Sequence, residues 1–245
     1  MDLGLQERVF LVTAVTSSFG LATAGMLLAE GARVVISCPA RHSVDKAAAR
    51  LGHFDRTAAI AADSADPATA DRLITAALTR FGRLDGMLLS IGKPPTGPLI
   101  AVSDQRWRSS FESGFLSTVR LARTAAPVLP AAGAIGLVRS VPPGLKGSVS
   151  APGRLRAGLA VVVEMLAEEL EPQGVRVNGF IAGRCGTSDG LAHAATFVLS
   201  PAASHLTGNV ITIDGEDRTG HLAGVSRYRR AQHQESGKPG GGHGP

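Results

Sequence analysis

Between Thr13 and Gly20 the chain reads Thr-Ala-Val-Thr-Ser-Ser-Phe-Gly, a run of small and hydroxyl-bearing residues directly after the apolar segment Val9–Thr13. Such a loop at the start of a helix can hold a phosphate. Free N–H groups and the positive end of the helix dipole meet the anion, and the hydroxyls of Thr16, Ser17 and Ser18 add donors. Glycine is what lets a pyrophosphate approach the backbone closely, and Gly20 alone supplies it here, so the segment also reads as a packed turn that holds no nucleotide. After the next apolar run no acidic residue stands ready for a ribose hydroxyl. Arg41 lies a few positions beyond Ser37 instead, which favours a 2′-phosphate and hence NADP among the dinucleotides, or else is a solvated loop arginine. His193 and His205 are candidate bases, though both read more simply as surface or capping residues. Cys38 and Cys185 stand apart, with no CxxC and no nearby histidine pair, so neither a disulfide framework nor a metal site is indicated.

These residues need a scaffold, and the pattern of apolar runs supplies one. Strand-like runs at Val9–Thr13, Ala32–Ser37, Ala58–Ala62, Gly86–Ser90, Ala134–Val138, Val175–Ile181 and Asn209–Ile213 alternate with helical patterns. The helices are expected over Gly20–Glu30, Ser43–Leu51, Pro67–Phe81, Asp104–Leu129, Leu155–Leu170 and Leu191–Leu199. Strict alternation predicts an α/β fold: a Rossmann-like, doubly wound, seven-stranded and mostly parallel sheet covered by helices on both faces. The 245 residues, 44% hydrophobic and 18% charged, suit one domain. That domain is expected over residues 1–216, with residues 217–245 a basic, glycine-rich, disordered tail.

The formal charge of +5 owes much to that tail, which carries Arg227, Arg229, Arg230 and Lys238. It has no nucleic-acid module and, apart from Tyr228, no aromatic residue for stacking, so no nucleic-acid partner is expected. Charges among the first ten residues and the lack of a long apolar run point away from a signal peptide and a membrane span. The cytoplasm is the expected location.

Taken in order, the motifs resemble the short-chain dehydrogenase/reductase family from about Val9 to Gly215. Its loop T-G-x-x-x-G-x-G aligns with Thr13–Gly20, with Ala14 and Ser18 in two glycine positions. The segment Leu89-Ser-Ile-Gly92 falls where the family reads N-N-A-G. Gly174-Val-Arg-Val-Asn178, followed by Gly183 and Thr187, resembles G-x-R-V-N-x-x-x-P-G-x-x-x-T, with Ala182 replacing the proline. Thr207-Gly208 and Asp214-Gly215 fit the family's closing T-G-x-x-x-x-V-D-G. The resemblance implies Asp63 against the adenine amino group, where a helix-capping role explains it almost as well. It also implies Gly92 beside the cofactor, Thr187 at the nicotinamide carboxamide and Ser140 as the carbonyl-orienting serine.

The family's Y-x-x-x-K is the informative departure. Aligning on Ala157-Gly-Leu159 puts Pro152 at the tyrosine and Arg156 at the lysine; sliding by one puts Gly153 and Ala157 there. Ser113-Gly114 stands where the helix asparagine belongs, and the substrate lid after Thr187 is expected to be deleted. Arginine stays protonated and is no practical acid, but with Ser140 it can bind an oxyanion or a substrate carboxylate. Three readings follow. One is an atypical enzyme using Ser140 and Arg156 on a small molecule; another is a silent subunit assembling with an active homologue as a dimer or tetramer; the third is a cofactor-independent lyase, cyclase or isomerase.

Overall fold

The computed structural model describes residues 2–13, 15–91, 99–140, 152–182 and 188–213. Strands β1 (Val9–Val12), β2 (Arg33–Cys38), β3 (Thr57–Ala61), β4 (Gly86–Ser90), β5 (Ala134–Ser140), β6 (Arg176–Ala182) and β7 (Val210–Ile213) form one sheet in the order β3-β2-β1-β4-β5-β6-β7. The sequence allowed for a mostly parallel sheet; every one of these ladders is parallel. Parallel neighbours require crossovers, and helices supply them.

The helices are α1 (Ser18–Ala29), α2 (Arg41–Leu51), α3 (Thr69–Phe81), α4 (Asp104–Phe111), α5 (Ser117–Ala125), α6 (Pro152–Leu170) and α7 (Ser188–Leu199). Strand residues sort by parity. Val9, Leu11, Met87, Leu89, Ile135 and Leu137 enter one core with α3, α5 and α6, whereas Phe10, Val12, Leu88 and Val138 enter the other with α1, α2 and α7. The alternation follows from the two-residue repeat of the strand, and burial on both faces explains why the runs are apolar throughout.

Five helix starts differ from the sequence reading; α2 begins two residues early at Arg41 and α3 two residues late at Thr69. α1 begins at Ser18, because Ser17 caps it by accepting from the Gly20 N–H at 3.2 Å. α6 begins at Pro152, a residue suited to a first turn because it has no N–H to satisfy. α7 takes in Ser188 to Gly190. The continuous helix expected over Asp104–Leu129 is broken, with a π turn at Glu112–Leu116 separating α4 from α5. Hydroxyls compete for the carbonyls there: Ser117 Oγ donates to the Ser113 carbonyl at 2.8 Å and Thr118 Oγ1 to that of Gly114 at 2.9 Å. Only residues 183–187 separate β6 from α7; the lid expected to be deleted there, like the tail expected over 217–245, lies outside the described residues.

α3 stops at Gly82, which takes φ 77° and donates to the Leu78 carbonyl at 2.8 Å. A Cβ there would meet nothing within 4 Å. Gly82→Ala is therefore expected to cost only the left-handed backbone, about 1 kcal/mol, as a lower urea midpoint with an unchanged slope.

The amino edge of the sheet is tied by two charged groups. Asp85, 1% exposed, accepts from the Val9 N–H at 2.9 Å and from both Arg83 (2.5 and 2.8 Å) and Arg8 (3.3 Å). The Arg83 guanidinium is pushed up in pKa by its hydrogen bond to Asp85 and by that carboxylate's charge, against a smaller opposing effect of burial. Arg176 is buried at the start of β6 and donates to the carbonyls of Val198, Ser200, Ala203 and Leu206.

Candidate functional site

The carboxyl ends of β1 to β5 converge on the side where α1 begins, the position at which ligands meet doubly wound sheets. Thr13 leaves β1 and is held across the switch point. Its N–H donates to the Leu88 carbonyl at 3.0 Å, and its Oγ1 accepts from the Ser90 N–H at 2.8 Å. That hydroxyl stitches β1 to β4, as the absent N-N-A-G amides do not. Thr16 and Ser18 expose their side chains at the mouth of α1, whereas Ser17 is half-buried in the cap and Gly20 is buried.

Arg41 opens α2 with an exposed guanidinium, its Nε donating to Asp45 Oδ2 at 2.9 Å one turn on. Asp63 lies just past β3, exposed, with Oδ1 accepting from the Ala65 N–H at 3.0 Å and its carbonyl accepting from Thr69 Oγ1 at 2.6 Å. It closes the turn before α3, while the second carboxylate oxygen has no partner among the hydrogen bonds of the described residues. His193 Nδ1–H donates to the Asp189 carbonyl at 2.7 Å on its own helix, and His205 is exposed beyond α7.

Two hollows adjoin this edge. One, about 210 Å³, is lined by Thr13, Ser37, Cys38, Ala62, Ser64, Ser90 and Ser113 among others. The other, about 310 Å³, lies between α1 and α2 against Thr16, His42, Ser43, Lys46 and Arg50. It presents three basic side chains beside the Thr16 hydroxyl and no carboxylate in its lining. Of these residues the sequence reading placed only Thr13 and Thr16 in the cofactor site. The basic stripe was readable as the spacing His42, Lys46, Arg50 on one helix face; the serines after the strand ends gave no signal. Burial pushes the Cys38 thiol up in pKa, a backbone hydrogen bond with Ala40 opposes this, and the charge of Asp45 adds to the rise, so the group stays a thiol rather than a thiolate nucleophile.

Ser140 ends β5, and Pro152, Gly153, Arg156 and Ala157 occupy the first two turns of α6. Pro152 and Arg156 stand four residues apart, on one face of that helix. The side chains of Ser140 and Arg156, and all of Ala14, Gly92 and Thr187, lie outside the described residues.

The family model described as enoyl-(acyl carrier protein) reductase matches residues 13–188. The chain belongs to the short-chain dehydrogenase/reductase family. Dehydrogenase/reductase SDR family member 4 of Caenorhabditis elegans is 29% identical over 246 residues, covering 86% of this chain and 95% of the relative. Among solved structures, a short-chain dehydrogenase/reductase (glucose/ribitol dehydrogenase) from Brucella melitensis superposes with a TM-score of 0.79 at 27% identity, covering 88% of this chain and 98% of that one. A short-chain dehydrogenase from Burkholderia cenocepacia in complex with NADP shares the fold at a TM-score of 0.77 and 24% identity, covering 86% and 98%.

In this family member no described helix is long and apolar enough to cross a membrane. The residues at the carboxyl edge fit a phosphorylated dinucleotide in two respects. α1 begins with a serine cap and exposed hydroxyls, and the neighbouring hollow carries cationic side chains without acids to neutralise them.

Proposed function

We propose that this chain is an atypical, NADP-binding short-chain dehydrogenase/reductase of specialised metabolism that works without the usual tyrosine and lysine of ketone reduction. The observation that carries this reading is the start of α6, where neither register supplies a tyrosine: Pro152 and Arg156 in one, Gly153 and Ala157 in the other. The chain's single tyrosine is Tyr228, far along the sequence.

NADP, when bound, supplies a hydride donor or acceptor. The protein would hold its phosphates with the start of α1, Thr16 and Ser18, and its 2′-phosphate with Arg41 and the basic stripe of α2. A phosphorylated ribose suits that stripe better than a free diol, because each cation gains a charged partner. Ser140, at the end of β5, would orient the substrate oxygen. Arg156 stays protonated at neutral pH and would bind negative charge on substrate or ribose without donating a proton. Any proton the reaction needs then comes from substrate, water or another residue. The NADP held by the Burkholderia protein of the same fold supports the cofactor assignment.

Titration of the purified chain with NADPH and NADH, read by nicotinamide fluorescence, tests this. Saturable binding about tenfold tighter for NADPH is expected. Failure of both to bind at high micromolar concentration would remove redox chemistry from the cleft.

A second reading, a silent subunit that assembles with an active homologue, is favoured by the outer face of α6. Val161 and Met165, one turn apart, are each 55% exposed. Co-expression with a homologue would then give a stable hetero-oligomer, and a symmetric, active homo-oligomer formed by this chain alone counts against it.

A further inference from the structure

Along β5, Ile135 and Leu137 enter the core beneath α5 and α6, and Arg139 follows with the same parity. A charged side chain thus occupies a place in an apolar row. It reaches a hollow of about 300 Å³ between the α4 segment and α6, walled by Trp107, Phe111, Phe115, Gly158 and Leu159. That volume lies at the small end of the range for small-molecule sites. The rings of Phe111 and Phe115 stack with centroids 5.0 Å apart, and Trp107 and Phe111 are 39% and 54% exposed at the rim.

The Nε of Arg139 is buried without a hydrogen-bond partner, and none of the ion pairs among the described residues involves this guanidinium. Segments 92–98, 141–151 and 183–187 contain no aspartate or glutamate, so no internal loop outside the described residues can bring one. Burial pushes the pKa of Arg139 down, but a guanidinium remains charged at neutral pH. The side chain is partly buried with no counter-charge among the described residues, and an anion in the hollow would supply both a charge partner and an acceptor for its buried Nε.

We propose that this hollow binds a small carboxylate carried on a flat apolar body, the carboxylate accepting from Arg139 and the body seated against Trp107 and Phe111. The assignment does not depend on whether a dinucleotide binds. Aromatic walls give area and shape selection, and the guanidinium gives charge selection, so a neutral ligand of the same outline binds more weakly.

The chain's single tryptophan is Trp107, so its emission reports on this hollow. The full chain is titrated with benzoate, with benzamide as the uncharged counterpart. The expected result is a saturable change with benzoate and binding about tenfold weaker, or worse, for benzamide and for Arg139→Met. Gly158→Leu is the steric test. A Cβ at Gly158 meets nothing within 4 Å, so the variant should fold, as circular dichroism would verify, yet fill the hollow and lose the response with Arg139 intact. An unchanged emission in the wild type overturns the proposal, as does benzoate binding as tight in Arg139→Met. A second copy, or residues 214–245, covering the hollow with a carboxylate of its own would give the first of these results, and self-association of the chain would identify the second copy as the source.

Discussion

Replacing Asp85 by alanine is expected to lower the unfolding free energy by about 3 kcal/mol. The carboxylate is 1% exposed and accepts from the Val9 N–H at 2.9 Å, the first backbone donor of β1. Removing it leaves that N–H buried and unpaired, which alone costs about 1–3 kcal/mol. The two arginines add less than their distances suggest. Arg8 and Arg83 are 25% and 53% exposed, and water takes over part of their solvation once the carboxylate is gone. Asp85→Asn separates these contributions, because its amide oxygen can still accept from Val9 while its NH₂ faces guanidinium donors. An intermediate loss is expected for asparagine. Urea unfolding of the three proteins checks both values, and an alanine variant within about 0.5 kcal/mol of the wild type would contradict the assignment.

Arg176→Met is expected to cost about 3–5 kcal/mol. The last carbonyls of a helix have no partners within it, and here one guanidinium serves α7 and the turn after it. It donates to Val198 at 2.8 Å, Ser200 at 3.0 Å, Ala203 at 3.0 Å and Leu206 at 3.4 Å. A cation at the negative end of the helix also favours the arrangement. Burial pushes the arginine's pKa down, and the charge of Arg8 adds a smaller effect in the same direction. Lysine cannot span the carbonyls with its single ammonium, so Arg176→Lys should recover only part of the loss. Thermal and urea unfolding measure the cost. NADPH affinity at temperatures where the variant is folded should be unchanged, because Arg176 begins β6 at the amino edge of the sheet, whereas the start of α1 lies at the carboxyl edge.

The sheet was legible in the sequence because its strands are buried on both faces and read as uninterrupted apolar runs. The motif Gly174-Val-Arg-Val-Asn178 was equally legible, but as spacing without a role. In the structure Arg176 closes α7, while Asn178 donates to the Leu206 carbonyl at 2.7 Å and accepts from the Asn209 N–H at 3.2 Å. The break at Glu112–Leu116 was hidden, since helical periodicity runs on through it and only the hydroxyl-to-carbonyl bonds of Ser117 and Thr118 expose the competition. Arg139 was hidden for another reason. An arginine at the end of a strand reads as a solvated terminus, and only its parity with Ile135 and Leu137 shows that it turns inward. At the candidate site the hydroxyls of Thr16, Ser17 and Ser18 were read as phosphate donors. The structure gives Thr13 Oγ1 to the β1–β4 seam and Ser17 Oγ to the α1 cap, leaving Thr16 and Ser18 exposed.

The strand order carries a consequence for how the chain reaches this state. The central ladder pairs Phe10 with Gly86 and Val12 with Leu88, so the first strand made must wait for the fourth before its second edge is covered. No ladder joins strands by a hairpin, and each contact therefore closes a long loop before it returns any stabilisation. Until β4 arrives, β1 presents an open, apolar edge of the kind that pairs with neighbouring chains. The anchoring of Val9 by Asp85, immediately before β4, places the lock for that late seam on the residue next to the strand that completes it.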